Sequence, residues 1–359
     1  MTISGAQPIR ILVMAGGTGG HVFPALAVAD ELRARGVEVT WLGTRSGIEA
    51  EVVPKAGFPI DYINIAGLRG KSLLSWLAAP FKLFQALSQA LGVLRARRPA
   101  AVLGMGGFVA GPGGVAAWLS RRPLLIHEQN ARAGLTNKLL APLAARVMEA
   151  FPGTFTARLR AVHTGNPLRR GFVQGEAKRE HGGPLRLLVV GGSLGATRLN
   201  EVVPQALALL SPEARPEVWH QAGKRNLDAA HQTYTQAGIT AQVVPFIDEM
   251  AAAYGWADVV LCRAGAMTVA ELAAAGAASI LVPFPFAVDD HQTANAHYLA
   301  DQDAAVLLPQ AQLTAASLCA RLQQLTPERL RAMADAARRL ALPEATARVA
   351  DLCLEVAHG

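Results

Sequence analysis

The chain has 359 residues, 51% hydrophobic and 17% charged, with a net charge of +7. That length and apolar content fit two ordinary domains, each able to bury a core, and exclude a disordered chain. The three cysteines, Cys262, Cys319 and Cys353, show no CxxC spacing, which argues against a disulfide framework and leaves buried, reduced thiols.

The charge is uneven. Residues 1–165 carry 18 Lys and Arg against 8 Asp and Glu, and residues 166–359 carry 16 against 19, so the halves are +10 and −3. Between Asp61 and Glu128 there are eight basic residues and no carboxylate. Such a patch attracts nucleic acid or anionic lipid. No aromatic stacking platform or recognition motif accompanies it, so nucleic acid is the poorer partner.

In chain order, the first ten residues are polar and lead straight into a strand. No secretory signal is expected, and the cytoplasm is the expected compartment. Residues 9–14 are a continuous apolar strand, followed by Gly16-Gly-Thr-Gly-Gly-His21 and a helix to about residue 35. Pro24 falls in that helix's first turn, where proline is tolerated. Strands are expected at 38–42, 61–65, 101–103 and 124–127, with helices at 48–56, 73–97 and 114–120. After Gly165-Asn-Pro167 the pattern starts afresh, with a strand at 186–190, the glycine turn Gly191-Gly-Ser-Leu-Gly-Ala196 and a helix at 197–210. Strands at 217–221 and 242–245 flank a helix at 226–237, and helices from about 315 to 357 end the chain. The alternation predicts α/β architecture with doubly wound parallel sheets. The repeated glycine turn predicts domains at 1–164 and 165–340, with 341–359 a helix packing back on the first.

Neither turn is a dinucleotide fingerprint. Val22 stands where the third glycine belongs, and Gly43-Thr44-Arg45 offers no acid for a ribose, which disfavours a nicotinamide-dependent oxidoreductase. The stretch 261–299 is more informative. It predicts two buried strands, each followed by a helix, the first helix entered near Thr268 and the second through Asp289-Asp290-His291-Gln292. Two helix N-termini on one sheet edge suit a phosphate. Glu271 and Gln292 are placed to bind hydroxyls.

Residues 72–94 contain Pro80, Lys82 and two glutamines and do not read as a membrane span. Leu77, Phe81, Phe84, Leu87, Leu91 and Leu94 follow helical spacing and are expected in the core. Trp76 and Leu83 fall off that face beside Arg69, Lys71 and Lys82, and are expected to dip into an anionic membrane interface.

Two halves, each a Rossmann-like sheet, resemble the GT-B glycosyltransferases, in which such domains face a central cleft. Six motifs narrow the resemblance: Gly16-Gly-Thr-Gly-Gly-His21, Gly104-Met-Gly-Gly-Phe-Val-Ala-Gly-Pro112, His127-Glu-Gln-Asn130, Gly165-Asn-Pro-Leu-Arg169, Gly191-Gly-Ser193 and Asp290-His-Gln292. In this order they resemble the MurG family of glycosyltransferase family 28. These are peptidoglycan N-acetylglucosaminyltransferases that convert lipid I to lipid II at the cytoplasmic face of the cell membrane. The chain departs from the family pattern at Phe108 and Ala110, where relatives often carry Tyr and Ser.

The resemblance implies UDP-N-acetylglucosamine as donor and lipid I as acceptor. It also implies a peripheral place on the membrane and partners among the cell-wall and division machinery. Ser193 and Arg169 would meet the diphosphate and nucleotide, and the backbone of Ile247 the uracil. Ala266, Met267, Thr268, Val269, Ala270 and Glu271 would line the nucleoside, with Glu271 accepting from ribose. Gln292 and Asn130 would contact the sugar, and Thr18, Gly19 and Gly20 would close the donor site. Gly106 and Gly107, with Lys71, Trp76, Lys82 and Leu83, would form the acceptor and membrane face.

Inverting transfer needs a base for the acceptor hydroxyl and stabilisation of a departing diphosphate. His21, at the mouth of a helix whose dipole favours the neutral form, is the candidate base or acceptor-orienting residue. Glu128 is the other candidate, more suited to structural support. No cofactor is required: the one DxD, Asp301-Gln-Asp303, reads as a solvated turn, and Mg2+ would only stimulate by binding free phosphates. A UDP-N-acetylglucosamine 2-epimerase, another GT-B UDP-sugar enzyme and a non-catalytic nucleotide-binding membrane adaptor stay open as alternatives.

Overall fold

The apolar run at the head of the chain becomes β1 (Arg10–Met14), whose last four residues have no exposed surface, as a strand covered on both faces requires. The computed structural model describes residues 8–65, 79–172, 182–192 and 195–358. It comprises two units, Met1–Arg169 with Glu344–Gly359, and Arg170–Pro343.

The first unit is built on β1, β2 (Glu38–Gly43), β3 (Ile60–Tyr62), β4 (Ala101–Gly104), β5 (Leu124–Glu128), β6 (Arg146–Glu149) and β7 (Val162–His163). They form one parallel sheet in the order β3-β2-β1-β4-β5-β6-β7. Its helices are α1 (Gly19–Ala34), α2 (Glu49–Lys55), α3 (Ala79–Arg97), α4 (Ala110–Leu119) and α5 (Leu135–Leu140). The pleat sends alternate residues to opposite faces. Ile11, Val13, Ala101, Leu103 and Leu125 pack with α1, while Leu12, Met14, Val102 and Ile126 pack with α3, α4 and α5. The chain's last helix, Ala345–His358, completes the α1 face with Val349, Ala350, Leu352 and Cys353. Arg35 reaches Asp351 at 2.5 Å, and the Thr346 hydroxyl donates to Leu168 O at 2.9 Å. Truncating a side chain such as Leu352 in that layer costs about 2–5 kcal/mol.

Helix α3 corrects the sequence reading. Phe81 and Phe84, expected in the core, are 72% and 70% exposed. The buried stripe is Ala86, Ala90 and Leu94, which packs with Ala116 and Ala117 of α4. The small residues at i and i+4, Ala86 and Ala90, let two helices approach closely, and the larger rings are turned outward. Leu83 is 54% exposed. Leu77 lies outside the described residues.

The second unit has β8 (Arg186–Val190), β9 (Glu217–Gln221), β10 (Gln242–Val244), β11 (Val259–Cys262), β12 (Ser279–Leu281) and β13 (Ala305–Leu307). All pair in parallel in the order β10-β9-β8-β11-β12-β13. Its helices are α6 (Thr197–Ala208), α7 (Leu227–Gln236), α8 (Met250–Trp256), α9 (Ala266–Ala275), α10 (His291–Ala300), α11 (Ala315–Gln323) and α12 (Pro327–Arg339). α9 begins two residues earlier than its sequence suggests, because Gly265 takes the extended N-cap conformation. All three cysteines are free and buried.

In each sheet the strand order reverses beside the first strand. β1 lies between β2 and β4, and β8 between β9 and β11. Met14 stands opposite Gly104 and Val190 opposite Cys262 at the carboxyl ends of those pairs. Open α/β sheets bind ligands outside the strand ends at such a reversal.

Candidate active site

In the first unit the reversal is framed by the loops after β1 and β4. The β1 loop enters α1 at Thr18, whose hydroxyl oxygen is 3.4 Å from His21 Nδ1. A wholly buried carboxylate braces it from below. Glu49 accepts from Gly17 N at 2.9 Å, Thr44 N at 2.9 Å and the Thr44 hydroxyl at 2.7 Å. The three donors offset the cost of burying that group. Nothing in the sequence singles out Glu49, since it belongs to no motif and its partners come from two other loops.

The β4 loop presses on the first. Gly106 and Gly107 have φ of +102° and +84°. A Cβ on Gly106 would stand 2.6 Å from His21 Cδ2, and one on Gly107 would collide with the backbone of Gly16. Glycine alone satisfies both the left-handed backbone and the close approach. Thr18, Gly19, Gly20, His21, Gly106 and Gly107 are thus gathered at one place. The imidazole is bounded by a hydroxyl on one side and a bare backbone on the other. Phe108 beside them is 56% exposed.

At the end of β5 the side chains organise the chain itself. Glu128 accepts from Asn130 N at 3.0 Å, Asn130 Nδ2 at 3.2 Å, Gly134 N at 2.9 Å and Asn137 Nδ2 at 2.9 Å. A buried carboxylate holding four donors shapes the loop that carries Asn130. His127 is fully buried, its Nε2 3.0 Å from Gly165 O and its Nδ1 3.1 Å from Gln129 Nε2. That pairing makes Nε2 the donor, and burial pushes the pKa down to about 4. Asn166 Nδ2 donates to Gln129 O at 3.0 Å, so the segment leading to Arg169 is tied to the β5 edge. The Arg169 guanidinium sits 5.4 Å from the centre of the Phe23 ring.

In the second unit the β8 loop is braced by a neutral amide. Gln221 Nε2 donates to Gly192 O at 3.0 Å, and its Oε1 accepts from Ile247 N at 3.1 Å. The Ile247 N–H is therefore already committed, which leaves its carbonyl for a ligand. Ser193 lies outside the described residues. On α9, Met267, Thr268, Ala270 and Glu271 are partly exposed, whereas Ala266 is 7% exposed and Val269 fully buried. Val269 is therefore core, not lining, because it shares a face with Leu272 and Ala273. The Tyr254 hydroxyl donates to Glu271 Oε2 at 3.1 Å.

Gln292 accepts from Phe284 N at 2.9 Å, which fixes the loop before α10 and leaves the amide nitrogen as donor. Buried Asn295 donates to Ala264 O at 3.2 Å. Arg263 donates to Val282 O at 3.2 Å, Pro283 O at 3.3 Å and Gln310 Oε1 at 2.6 Å. Gln221, Tyr254, Asn295 and Arg263 escaped the sequence reading. Each acts on a segment distant in sequence, Tyr254 on helix α9 and the others on loops. Among the described residues no three His, Cys, Asp or Glu side chains are grouped as metal ligands. Asp301 of the DxD pairs with His297 at 2.8 Å.

Beyond these edges the first unit exposes large apolar side chains: Phe81, Leu83 and Phe84 on α3, Trp118 and Leu119 on α4, Leu135 and Leu139 on α5. The three helices share one sheet face, with α4 packed against both others. Lys82 and Lys138 are exposed among these side chains. Lys71 and Trp76 lie outside the described residues. Among the described residues no helix is long and apolar enough to cross a membrane.

Comparison with known proteins accounts for the arrangement. The model of the glycosyltransferase family 28 N-terminal domain matches residues 11–149, and that of the C-terminal domain matches residues 186–351. The UDP-N-acetylglucosamine–N-acetylmuramyl-(pentapeptide) pyrophosphoryl-undecaprenol N-acetylglucosamine transferase of Nitrosococcus oceani is 60% identical over 357 residues, 98% of this chain and 99% of the relative. That of Alkalilimnicola ehrlichii is 60% identical over 354 residues, 97% of this chain and 99% of the relative. The crystal structure of Acinetobacter baumannii MurG superposes with a TM-score of 0.86 at 43% identity, covering 97% of this chain and all of that one. A UDP-GlcNAc 2-epimerase from Neisseria meningitidis superposes with a TM-score of 0.67 at 12% identity, covering 97% and 100%. That likeness is one of fold. The two parallel-sheet units are those of a GT-B glycosyltransferase.

Proposed function

The chain belongs to glycosyltransferase family 28, and from that premise we infer that it transfers N-acetylglucosamine from UDP-N-acetylglucosamine to undecaprenyl-pyrophosphoryl N-acetylmuramyl-pentapeptide. The observation that carries the reading is the 60% identity over 357 residues, which spans the loops at both strand-order reversals.

In this reading the second unit holds the donor. The diphosphate lies at the N-termini of α6 and α9, where helix-terminal N–H groups and the helix dipole favour negative charge. Glu271 accepts from the ribose hydroxyls, the Ile247 carbonyl meets the uracil, and the Gln292 amide nitrogen donates to the sugar. The first unit holds the acceptor. His21 orients the muramyl 4-hydroxyl and takes its proton as that oxygen attacks the anomeric carbon. The bond to the β-phosphate oxygen breaks with its electron pair leaving on UDP, and the configuration inverts. Arg169 adds positive charge for the leaving group. Glu128 acts at one remove by holding Asn130. Helix termini and Arg169 supply the electrostatic stabilisation, so no divalent ion is needed.

The membrane-facing part rests on the exposed rings and leucines of α3, α4 and α5 beside Lys82 and Lys138. Apolar side chains that enter the interface and cations that meet anionic headgroups are what a peripheral protein needs. The enzyme then works from the cytoplasmic face, where its lipid-linked acceptor is presented.

The test is UDP release from UDP-N-acetylglucosamine in EDTA, with and without a lipid I analogue. Release that depends on the analogue and survives chelation is expected. Release without acceptor would indicate a hydrolase, no release with the acceptor present but tight UDP-sugar binding would indicate an epimerase or a non-catalytic adaptor, and loss of release in EDTA would overturn the metal-independent mechanism.

A further inference from the structure

Tyr254 is 1% exposed, and its ring packs 6.1 Å from that of Phe172. It approaches α9 from within the unit, and its hydroxyl donates to Glu271 Oε2 at 3.1 Å. Burial and the neighbouring carboxylate hold the phenol proton on, well above the usual phenol range, so the hydroxyl stays a donor. Glu271 itself is only partly buried. The last torsion of a glutamate is broad and roughly twofold, so the carboxylate plane turns freely unless a donor fixes it. A carboxylate that accepts from both hydroxyls of a vicinal diol needs that plane fixed beforehand, because both bonds form only at one setting.

We propose that Tyr254 is a positioning residue for ribose recognition. Its hydroxyl sets the plane of the Glu271 carboxylate, and thereby sets how strongly the second unit prefers a ribonucleoside diphosphate to one lacking the ribose hydroxyls. The proposal rests on the reading that Glu271 meets the ribose. It adds a group that never touches substrate and whose removal changes selectivity, not overall fit. Tyr254→Phe keeps the ring against Phe172 and removes one oxygen.

Calorimetric titration of the full chain with UDP and with 2′,3′-dideoxy-UDP tests it. The wild type is expected to prefer UDP, and Glu271→Ala to abolish the preference. Tyr254→Phe is expected to weaken UDP about fivefold, the loss of one oriented hydrogen bond, with dideoxy-UDP affinity unchanged. Adding Tyr254→Phe to Glu271→Ala should cause no further loss, since the hydroxyl acts through the carboxylate. Equal weakening of both nucleotides would make Tyr254 a packing residue and overturn the proposal. So would a further loss in the double variant. If Glu271→Ala keeps the preference, the ribose reading of Glu271 fails and the proposal with it. If Glu271→Ala removes the preference and Tyr254→Phe retains it, the proposal fails alone.

Discussion

The two units place a glycine loop at the same point of the same kind of sheet, yet they brace it with opposite chemistry. Under the first loop lies the carboxylate of Glu49, which accepts from Gly17 N. Under the second lies the neutral amide of Gln221, which donates to Gly192 O. A buried negative charge beneath a loop disfavours a second negative charge above it. In the proposed reading the second loop therefore takes the diphosphate, and the first a neutral sugar hydroxyl delivered to His21. Architecture repeats while electrostatics divides the labour.

The sharpest way to break this comparison is to remove the imidazole. His21→Ala is expected to lower kcat by about 10² to 10⁴, the range for a general base. UDP affinity, measured by calorimetry, should stay where it was. A variant that loses UDP binding along with turnover would place the donor at the first loop and dissolve the distinction.

Among the described residues each unit also buries one histidine, and there the two behave alike. Burial pushes His127 down to about 4 and His220 down to about 3. The unfolded chain takes up these protons near pH 6.5 while the folded one resists. Stability is therefore full above pH 6.5, falls as the pH drops towards 4, and levels off once the folded groups also titrate. His127 contributes about 3 kcal/mol of that fall. Denaturant melts between pH 7 and pH 4 check it. His127→Gln should flatten the profile by about that amount, and an unchanged slope would show that other groups govern acid unfolding.

Exchanging the braces sharpens the comparison at smaller cost. Gln221→Glu puts a carboxylate under the second loop and removes the donor to Gly192. UDP affinity should drop about tenfold or more. Glu49→Gln keeps the shape but turns an N–H towards groups that are themselves donors. It is expected to cost about 1–3 kcal/mol in stability and to lower kcat while leaving UDP affinity unchanged. Equal effects of both exchanges on UDP would show that charge under the loop does not matter.

The repetition of the sheet was legible in the chain, because buried parallel strands and glycine turns leave local signatures. So were the motif residues gathered at the reversal of β1 and β4. What holds them was not. Glu49, Gln221, Tyr254 and Asn295 act on segments 17 to 32 residues away, and a single polar side chain at the end of a strand or within a helix has no period to betray it. Phe81 and Phe84 were misplaced for a related reason. Helical spacing identifies an apolar face, but Ala86 and Ala90 make the closer contact with α4 and take the inside.

That outward turn of the phenylalanines sets up the smallest effect. If the exposed rings and leucines of α3, α4 and α5 enter a membrane interface, the cations beside them meet its charge. A basic residue near an anionic surface contributes about 1 kcal/mol, which is about fivefold in partitioning. Lys82→Glu and Lys138→Glu should each weaken cosedimentation with phosphatidylglycerol vesicles at least fivefold. The loss should shrink in high salt as screening removes the attraction. Phe81→Ser should weaken binding with little salt dependence, since it removes buried area, not charge. UDP affinity should not change in any of them, because in the proposed reading the second unit carries the donor. Vesicle binding that ignores all three substitutions would mean that this face of the first unit is turned away from the bilayer. The division of labour between the units would then end at the active site.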